Sequence, residues 1–277
     1  MDYAEVTFQF LSNEQKEMII ALLSKMDYEG FEEEGDLLKA YIPSRFYEQG
    51  ALTKLAADHN ISFSVSKIED TNWNALWESN FQPVVVNHPL SNSPWIAIRA
   101  AFHKPIDNVE HEIIINPKMS FGTGHHPTTL LMIQLMAQLE FKGKTILDFG
   151  TGTGILAILA AKLGASNVIG VDIDANSIQN ASENFHLNKC KHIQLLQAST
   201  PPAGEGYDII LCNIIKSVFV KNLPSFLQLL RGGGNVLVSG LLNSDDAEVS
   251  AVAAKNKLTS ASKIELENWM GIRFIYE

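Results

Sequence analysis

The chain has 277 residues, of which 46% are hydrophobic and 19% charged, and it carries a formal net charge of -10 at pH 7. That length and apolar share suffice for one large core and a smaller one, while the acidic balance disfavours a surface built to wrap nucleic acid, which is bound through Lys and Arg that neutralise phosphates. The opening MDYAEVTFQF has no leader pattern, no stretch approaches the roughly 18 uninterrupted apolar residues of a bilayer span, and two cysteines, Cys190 and Cys212, are too few for a disulfide framework or a zinc cluster.

A cytoplasmic protein with packed, reduced thiols and a basic partner is therefore expected. Residues 4–10 alternate as a half-buried strand does. Ser12 with Gln15 three residues later is a capping-box pattern that opens a helix. Two strands are predicted near 28–34 and 37–42, a second helix from about Ser44 to His59, and a further strand over Ile61 to Val65. The order β-α-β-β-α-β is the split, ferredoxin-like arrangement, a small α+β module whose open sheet face or edges commonly dock a partner. Residues 1–68 hold 12 Asp+Glu against 6 Lys+Arg, densest at Glu32-Glu33-Glu34 and Asp36. Such a run serves either as a solvated face or as a surface for a basic partner.

Residues 69–82 break the pattern and read as a linker with a short helical piece, Trp73 and Trp77 falling on one of its faces. Residues 83–86, 95–98 and 112–115 read as three short strands, a hairpin-like entry to a domain spanning 83–277. Beyond Pro127 strands alternate with helices: Thr145 to Phe149, Val168 to Ile173, Ile193 to Gln197, Tyr207 to Cys212 and Asn235 to Ser239. Two more strands are predicted over Ile264 to Tyr276, around Met270-Gly271. This α/β pattern specifies a Rossmann-like, mostly parallel seven-stranded sheet covered on both faces, with ligands at the carboxyl ends of the strands.

The first dense motif is Asp148-Phe149-Gly150-Thr151-Gly152-Thr153-Gly154, between the strand at 145–149 and a helix from Ile155. Three glycines let backbone press against a ligand where a Cβ would intrude. A dinucleotide fingerprint would need G-x-G-x-x-G, and position 155 is Ile. Gly150, Gly152 and Gly154 instead suit a nucleoside joined to an amino acid, which points to S-adenosyl-L-methionine. Asp172 ends the next strand, 22 residues beyond Gly150, where an acid takes hydrogen bonds from ribose hydroxyls. Asp174 is placed to cap the following helix.

The second motif is Phe121-Gly122-Thr123-Gly124-His125-His126-Pro127-Thr128-Thr129. Two glycines make a loop suited to close over a donor, Pro127 suits a first helical turn, and Thr129 offers a hydroxyl to the donor's polar end. Adjacent His125 and His126 diverge and lack a nearby carboxylate or Cys partner in sequence, so no metal is expected. Asn213 ends a strand facing the same crevice, and its amide oxygen is an acceptor for an incoming amine. His126 is a candidate proton relay or pocket wall.

These three segments, in this order, resemble the bacterial PrmA family, the methyltransferases of ribosomal protein L-eleven, and the likeness covers nearly the whole chain through the acidic front module, Trp73, Trp77, Phe81, Pro83 and the late Trp269. The resemblance implies a class I methyltransferase domain behind a substrate-recognition module, and methylation of lysine side chains and the N-terminal amine of that basic ribosomal protein; a monomer is expected. It carries donor binding onto Thr129, Gly150, Asp172 and Asn213, and the active-site loop onto Phe121 and His126. The family usually reads Asn-Ile-Leu-Ala where this chain reads Asn213-Ile214-Ile215-Lys216, so Lys216 bears on the acceptor pocket. Two alternatives stay open on the residues alone: an N-methyltransferase of glutamine amides or nucleic-acid bases, although the Asn-Pro-Pro-Tyr of those enzymes is missing, and a donor-binding adaptor without turnover.

Overall fold

The computed structural model describes residues 3–9, 13–24, 26–68, 81–116, 122–203 and 206–277. Ser12, Trp73, Trp77 and Phe121 lie outside them. Contacts divide the chain into two compact units, Met1–Asn80 and Phe81–Glu277.

The first unit runs β1 (Tyr3–Gln9), α1 (Asn13–Leu23), β2 (Gly30–Glu34), β3 (Leu37–Pro43), α2 (Gln49–Asp58) and β4 (Ser62–Ile68). Its four strands lie in the order β2-β3-β1-β4, each antiparallel to its neighbours. Each helix thus returns the chain past one intervening strand, the split β-α-β connection. Strand alternation sends Ala4, Val6, Phe8, Leu38, Ala40 and Ile42 inward, onto Ile19 and Leu23 of α1 and Leu52 of α2. Each fully buried large apolar side chain there contributes about 1.5–3 kcal/mol. The helix expected from Ser44 is interrupted: a 3-10 turn covers Ser44–Phe46, and α2 starts only at Gln49. Tyr47 and Glu48 between them are extended, which lets Tyr47 pack on the core.

In the second unit β5 (Val84–Asn87) and β6 (Pro94–Ala100) pair antiparallel, but β7 (His111–Ile115) joins β6 in parallel. Only the first pair of the expected entry is a hairpin. The crossover is fixed by Arg99, 6% exposed, whose guanidinium grips the Glu112 carboxylate with two bonds of 2.7 and 2.8 Å and donates to the carbonyls of Ala100 and His103.

After α3 (Pro127–Met136) come β8 (Thr145–Phe149), α4 (Ile155–Lys162), β9 (Asn167–Asp172), α5 (Ala175–Leu187), β10 (Ile193–Gln197), β11 (Tyr207–Asn213), α6 (Lys216–Leu229), β12 (Leu230–Leu242), α7 (Asp246–Lys255), β13 (Leu258–Leu266) and β14 (Trp269–Tyr276). They build a seven-stranded sheet in the order β10-β9-β8-β11-β12-β14-β13, parallel except for β14, which runs antiparallel to both neighbours. Successive residues of the central strands feed opposite faces, Ile146, Leu211 and Leu237 one core and Leu147, Ile210 and Val236 the other. The chain leaves β8 toward β9 and returns to β11 on the other side, which opens a crevice at the carboxyl ends of those strands.

The last hairpin does not turn at Met270-Gly271. Leu266 pairs with Trp269, so the turn is Glu267-Asn268, with Glu267 in left-handed geometry at φ 57°. Gly271 is small for another reason: a Cβ there would sit 3.2 Å from Leu131 and 3.1 Å from Leu135 of α3. Among the described residues no helix is long and apolar enough to cross a membrane.

Candidate functional site

Register places the central residues side by side. Phe149 of β8 is paired with Val171 of β9 and Cys212 of β11, so Gly150, Asp172 and Asn213 emerge together one residue later. With strands about 4.8 Å apart, the two polar residues flank the glycine loop across about 10 Å.

The loop after β8 is wound tightly. Gly150, Gly152 and Gly154 all have positive φ, at 79°, 54° and 79°. A Cβ on Gly150 would collide with Ile214 and one on Gly154 with Phe185. The amides of Gly150 and Thr151 donate to the Val171 carbonyl at 2.8 and 2.9 Å. Asp172 braces the turn from the next strand, its carboxylate accepting from the amides of Gly152 at 2.9 Å and Asp174 at 3.0 Å. Each oxygen keeps lone pairs for further donors. Asp174 caps α5 by accepting from the amides of Asn176 and Ser177. The exposed Ile173, at 70%, adds apolar surface beside Asp172.

Under the loop lies a residue that the motif contains but to which no role was given from sequence. Asp148 is 1% exposed; one oxygen accepts from the Thr151 hydroxyl at 2.6 Å and the Ala157 amide at 3.1 Å, and the other has no partner among the described residues. Burial pushes its carboxyl up to about 7. An acidic side chain inside an otherwise apolar strand was the available signal.

Gly122, with φ 100°, lies against Thr153, whose hydroxyl donates to its carbonyl at 2.6 Å. Gly124 fits against Ile98. His125 is exposed, but its Nε2 is 2.9 Å from the Gln82 carbonyl and its ring meets Phe81 edge-on. His126 caps α3: its Nδ1 accepts from the Thr128 amide at 3.3 Å and lies 2.8 Å from the Thr128 hydroxyl, while its ring abuts Trp269 at 5.0 Å. Nδ1 is thus committed to the helix start. Thr129, fully buried, has a hydroxyl without a partner among the described residues, as does the Asn213 amide oxygen. Lys216 turns to α7, bonding Asp245 at 2.8 Å and Glu248 at 2.7 Å. Among the described residues no group of three His, Cys, Asp or Glu side chains is placed to hold a metal ion.

This chemistry fits S-adenosylmethionine. A glycine cradle admits a close backbone approach, Asp172 has acceptor capacity for a diol, Ile173 offers apolar surface to a base, and the buried oxygens of Thr129 and Asn213 lack partners among the described residues.

Comparison with known proteins agrees. The family model described as Ribosomal protein L11 methyltransferase (PrmA) matches residues 6–276. Ribosomal protein L11 methyltransferase of Phocaeicola vulgatus is 33% identical over 99% of this chain and 99% of that protein, and that of Chlorobaculum tepidum 34% identical over 97% and 95%. The crystal structure of ribosomal protein L11 methylase from Lactobacillus delbrueckii subsp. bulgaricus superposes with a TM-score of 0.61 at 30% identity, covering 69% of this chain and 97% of that one. A glycine-braced crevice, a full-length family match and a shared sheet lead to one conclusion: the chain belongs to the ribosomal protein L11 methyltransferase family, enzymes dependent on S-adenosylmethionine.

Proposed function

We propose that the chain transfers methyl groups from S-adenosylmethionine to amines of ribosomal protein L11, its lysine side chains and N-terminal amine. The observation that carries this reading is the alignment of Gly150, Asp172 and Asn213 at the ends of three adjacent strands, with the buried, unpartnered oxygens of Asn213 and Thr129.

Gly150, Gly152 and Gly154 hold the donor by backbone approach, Asp172 accepts from its ribose hydroxyls, and the Thr129 hydroxyl meets its polar end. The bound donor supplies an electrophilic methyl on a sulfonium. Asn213 accepts a hydrogen bond from the incoming amine through its amide oxygen and so aims the nitrogen lone pair. A free lysine, with pKa about 10.4, costs on the order of 4–5 kcal/mol to deprotonate at pH 7. Dry surroundings, which disfavour the ammonium, offset part of that, and alignment supplies much of the remaining acceleration. With its Nδ1 engaged at the helix cap, His126 serves as a wall beside Trp269. Phe121, outside the described residues, belongs to the same acceptor loop by its place in the motif.

Residues 1–68, within the first unit, recognise the protein substrate. Its sheet turns Tyr3, Glu5, Thr7, Lys39 and Tyr41 away from the helices. Glu5 pairs in register with Tyr41, Tyr41 donates to Glu32 at 2.8 Å, and Tyr3 donates to Glu29 at 2.6 Å. Oriented carboxylates on an acidic unit complement a basic ribosomal protein.

The test incubates the chain with labelled donor and ribosomal protein L11, then maps label by mass spectrometry. Label on lysine and α-amines is expected. Label on glutamine, on RNA, or nowhere would overturn the reading.

A further inference from the structure

Asn180, Asn184 and Asn188 recur every four residues along α5 and its C-cap, which puts them on one face. The side chains of Asn184 and Asn188 are used at different places, and the Asn180 oxygen accepts from Asn184. Asn188 accepts from the Ile114 amide at 3.0 Å and donates to the Ile114 carbonyl, closing the edge of β7 as a neighbouring strand would. Asn184, fully buried, accepts from the Asn116 amide at 2.6 Å and donates to the Thr153 carbonyl at 2.8 Å and to Asn180 at 3.2 Å. Thr153, also fully buried, donates its hydroxyl to the Gly122 carbonyl.

Thr153 is therefore the shared point between the glycine loop and the loop that leads to His126 and Thr129. Its carbonyl is held by α5 and its hydroxyl holds Gly122. The fit is close: a Cβ on Gly122 would lie 2.8 Å from the Thr153 hydroxyl oxygen. That hydroxyl is buried and spends its proton on the Gly122 carbonyl, so its work is done on Gly122 and not on a ligand.

We infer that Thr153 and Asn184 are positioning residues, which hold the 122–129 loop in register with the donor loop and so set the alignment of acceptor and methyl group. The inference rests on the methyltransferase reading above. Alignment is where a small displacement costs most: about 1 Å of misplacement can lower turnover by about a hundredfold. Donor affinity depends on backbone and Asp172, which the relay leaves in place.

Thr153→Val removes the hydroxyl at nearly constant volume, and Thr153→Ser keeps it. In Thr153→Val, kcat on ribosomal protein L11 is expected to fall by at least about tenfold while the donor dissociation constant stays within about threefold. Thr153→Ser is expected to restore kcat, and melting of the free proteins checks that both variants fold. Independently of turnover, backbone amide exchange of residues 122–126 in the free protein should speed up in Thr153→Val and not in Thr153→Ser. Asn184→Asp, which keeps the acceptor for Asn116 but loses the donors to Thr153 and Asn180, should lower kcat and speed exchange of the same amides. Unchanged kcat in Thr153→Val, an equal loss of donor affinity, or failure of Ser to rescue would overturn the relay. Absence of any transfer by the unaltered chain would instead overturn the substrate reading.

Discussion

Replacing Asp148 with Asn measures the electrostatic cost built into the donor loop. Asp148 is 1% exposed in the middle of the sheet, and burial raises its carboxyl to about 7 from 3.8. Hydrogen bonds from Thr151 and Ala157 favour the ionised form and offset burial only in part. The folded state thus holds the proton more tightly than the unfolded chain, so the resulting stabilisation is complete below about pH 4 and is lost as pH rises through about 7. The full shift, about three units at about 1.4 kcal/mol each, amounts to about 4 kcal/mol, of which about 3 disappears between pH 5 and pH 8. Asn does not titrate. The depressed carboxyls of Glu112, Asp174 and Asp208 act in the opposite sense at lower pH and are common to both proteins. Urea unfolding of each protein at pH 5 and pH 8 should show the unaltered chain losing about 3 kcal/mol more than the variant across that interval. In a unit of this size that is a difference of about 6–12 °C in Tm. Slopes that agree within about 0.5 kcal/mol would mean that the carboxyl ionises freely, and the burial argument would fall.

Asp172→Ala should weaken donor binding about 10- to 100-fold by calorimetry, through lost hydroxyl partners and a released Gly152 amide; unchanged affinity would remove the ribose assignment. Combining Glu5→Lys with Glu32→Lys should raise KM for the protein substrate several-fold at low salt, flatten its salt dependence and leave donor affinity alone; a KM unmoved by the charge reversal would move recognition elsewhere. Lys216→Ala should keep turnover within about threefold, because that ammonium is engaged by Asp245 and Glu248; a collapse in kcat would place Lys216 in the acceptor pocket.

The glycine turn of 150–154, the strand end at Asp172 and the helix start after the 122–126 loop were legible as backbone features, because each depends on local backbone demands and strand order that a sequence displays. Strand-helix alternation likewise fixed the parallel sheet, since a crossover helix must cover each face. Lys216 was not legible: sequence put it one turn from Asn213, yet its ammonium lies against α7, from a segment some thirty residues on.

Sequence by itself determined how the crevice at the strand ends is built, because glycine conformation, strand polarity and the acid after the second strand are local or nearest-neighbour properties. Tertiary structure alone decided which polar groups are used up. Asn184 and Asn188 look like weak helix formers until β7 and Thr153 come within hydrogen-bonding reach, and Gly271 looks like a turn until α3 packs on it. His126 reads as a pocket residue from its motif, and only packing shows that its Nδ1 also caps α3. Those assignments depend on contacts between segments tens of residues apart, and periodicity along one chain carries no record of which neighbour packing will supply.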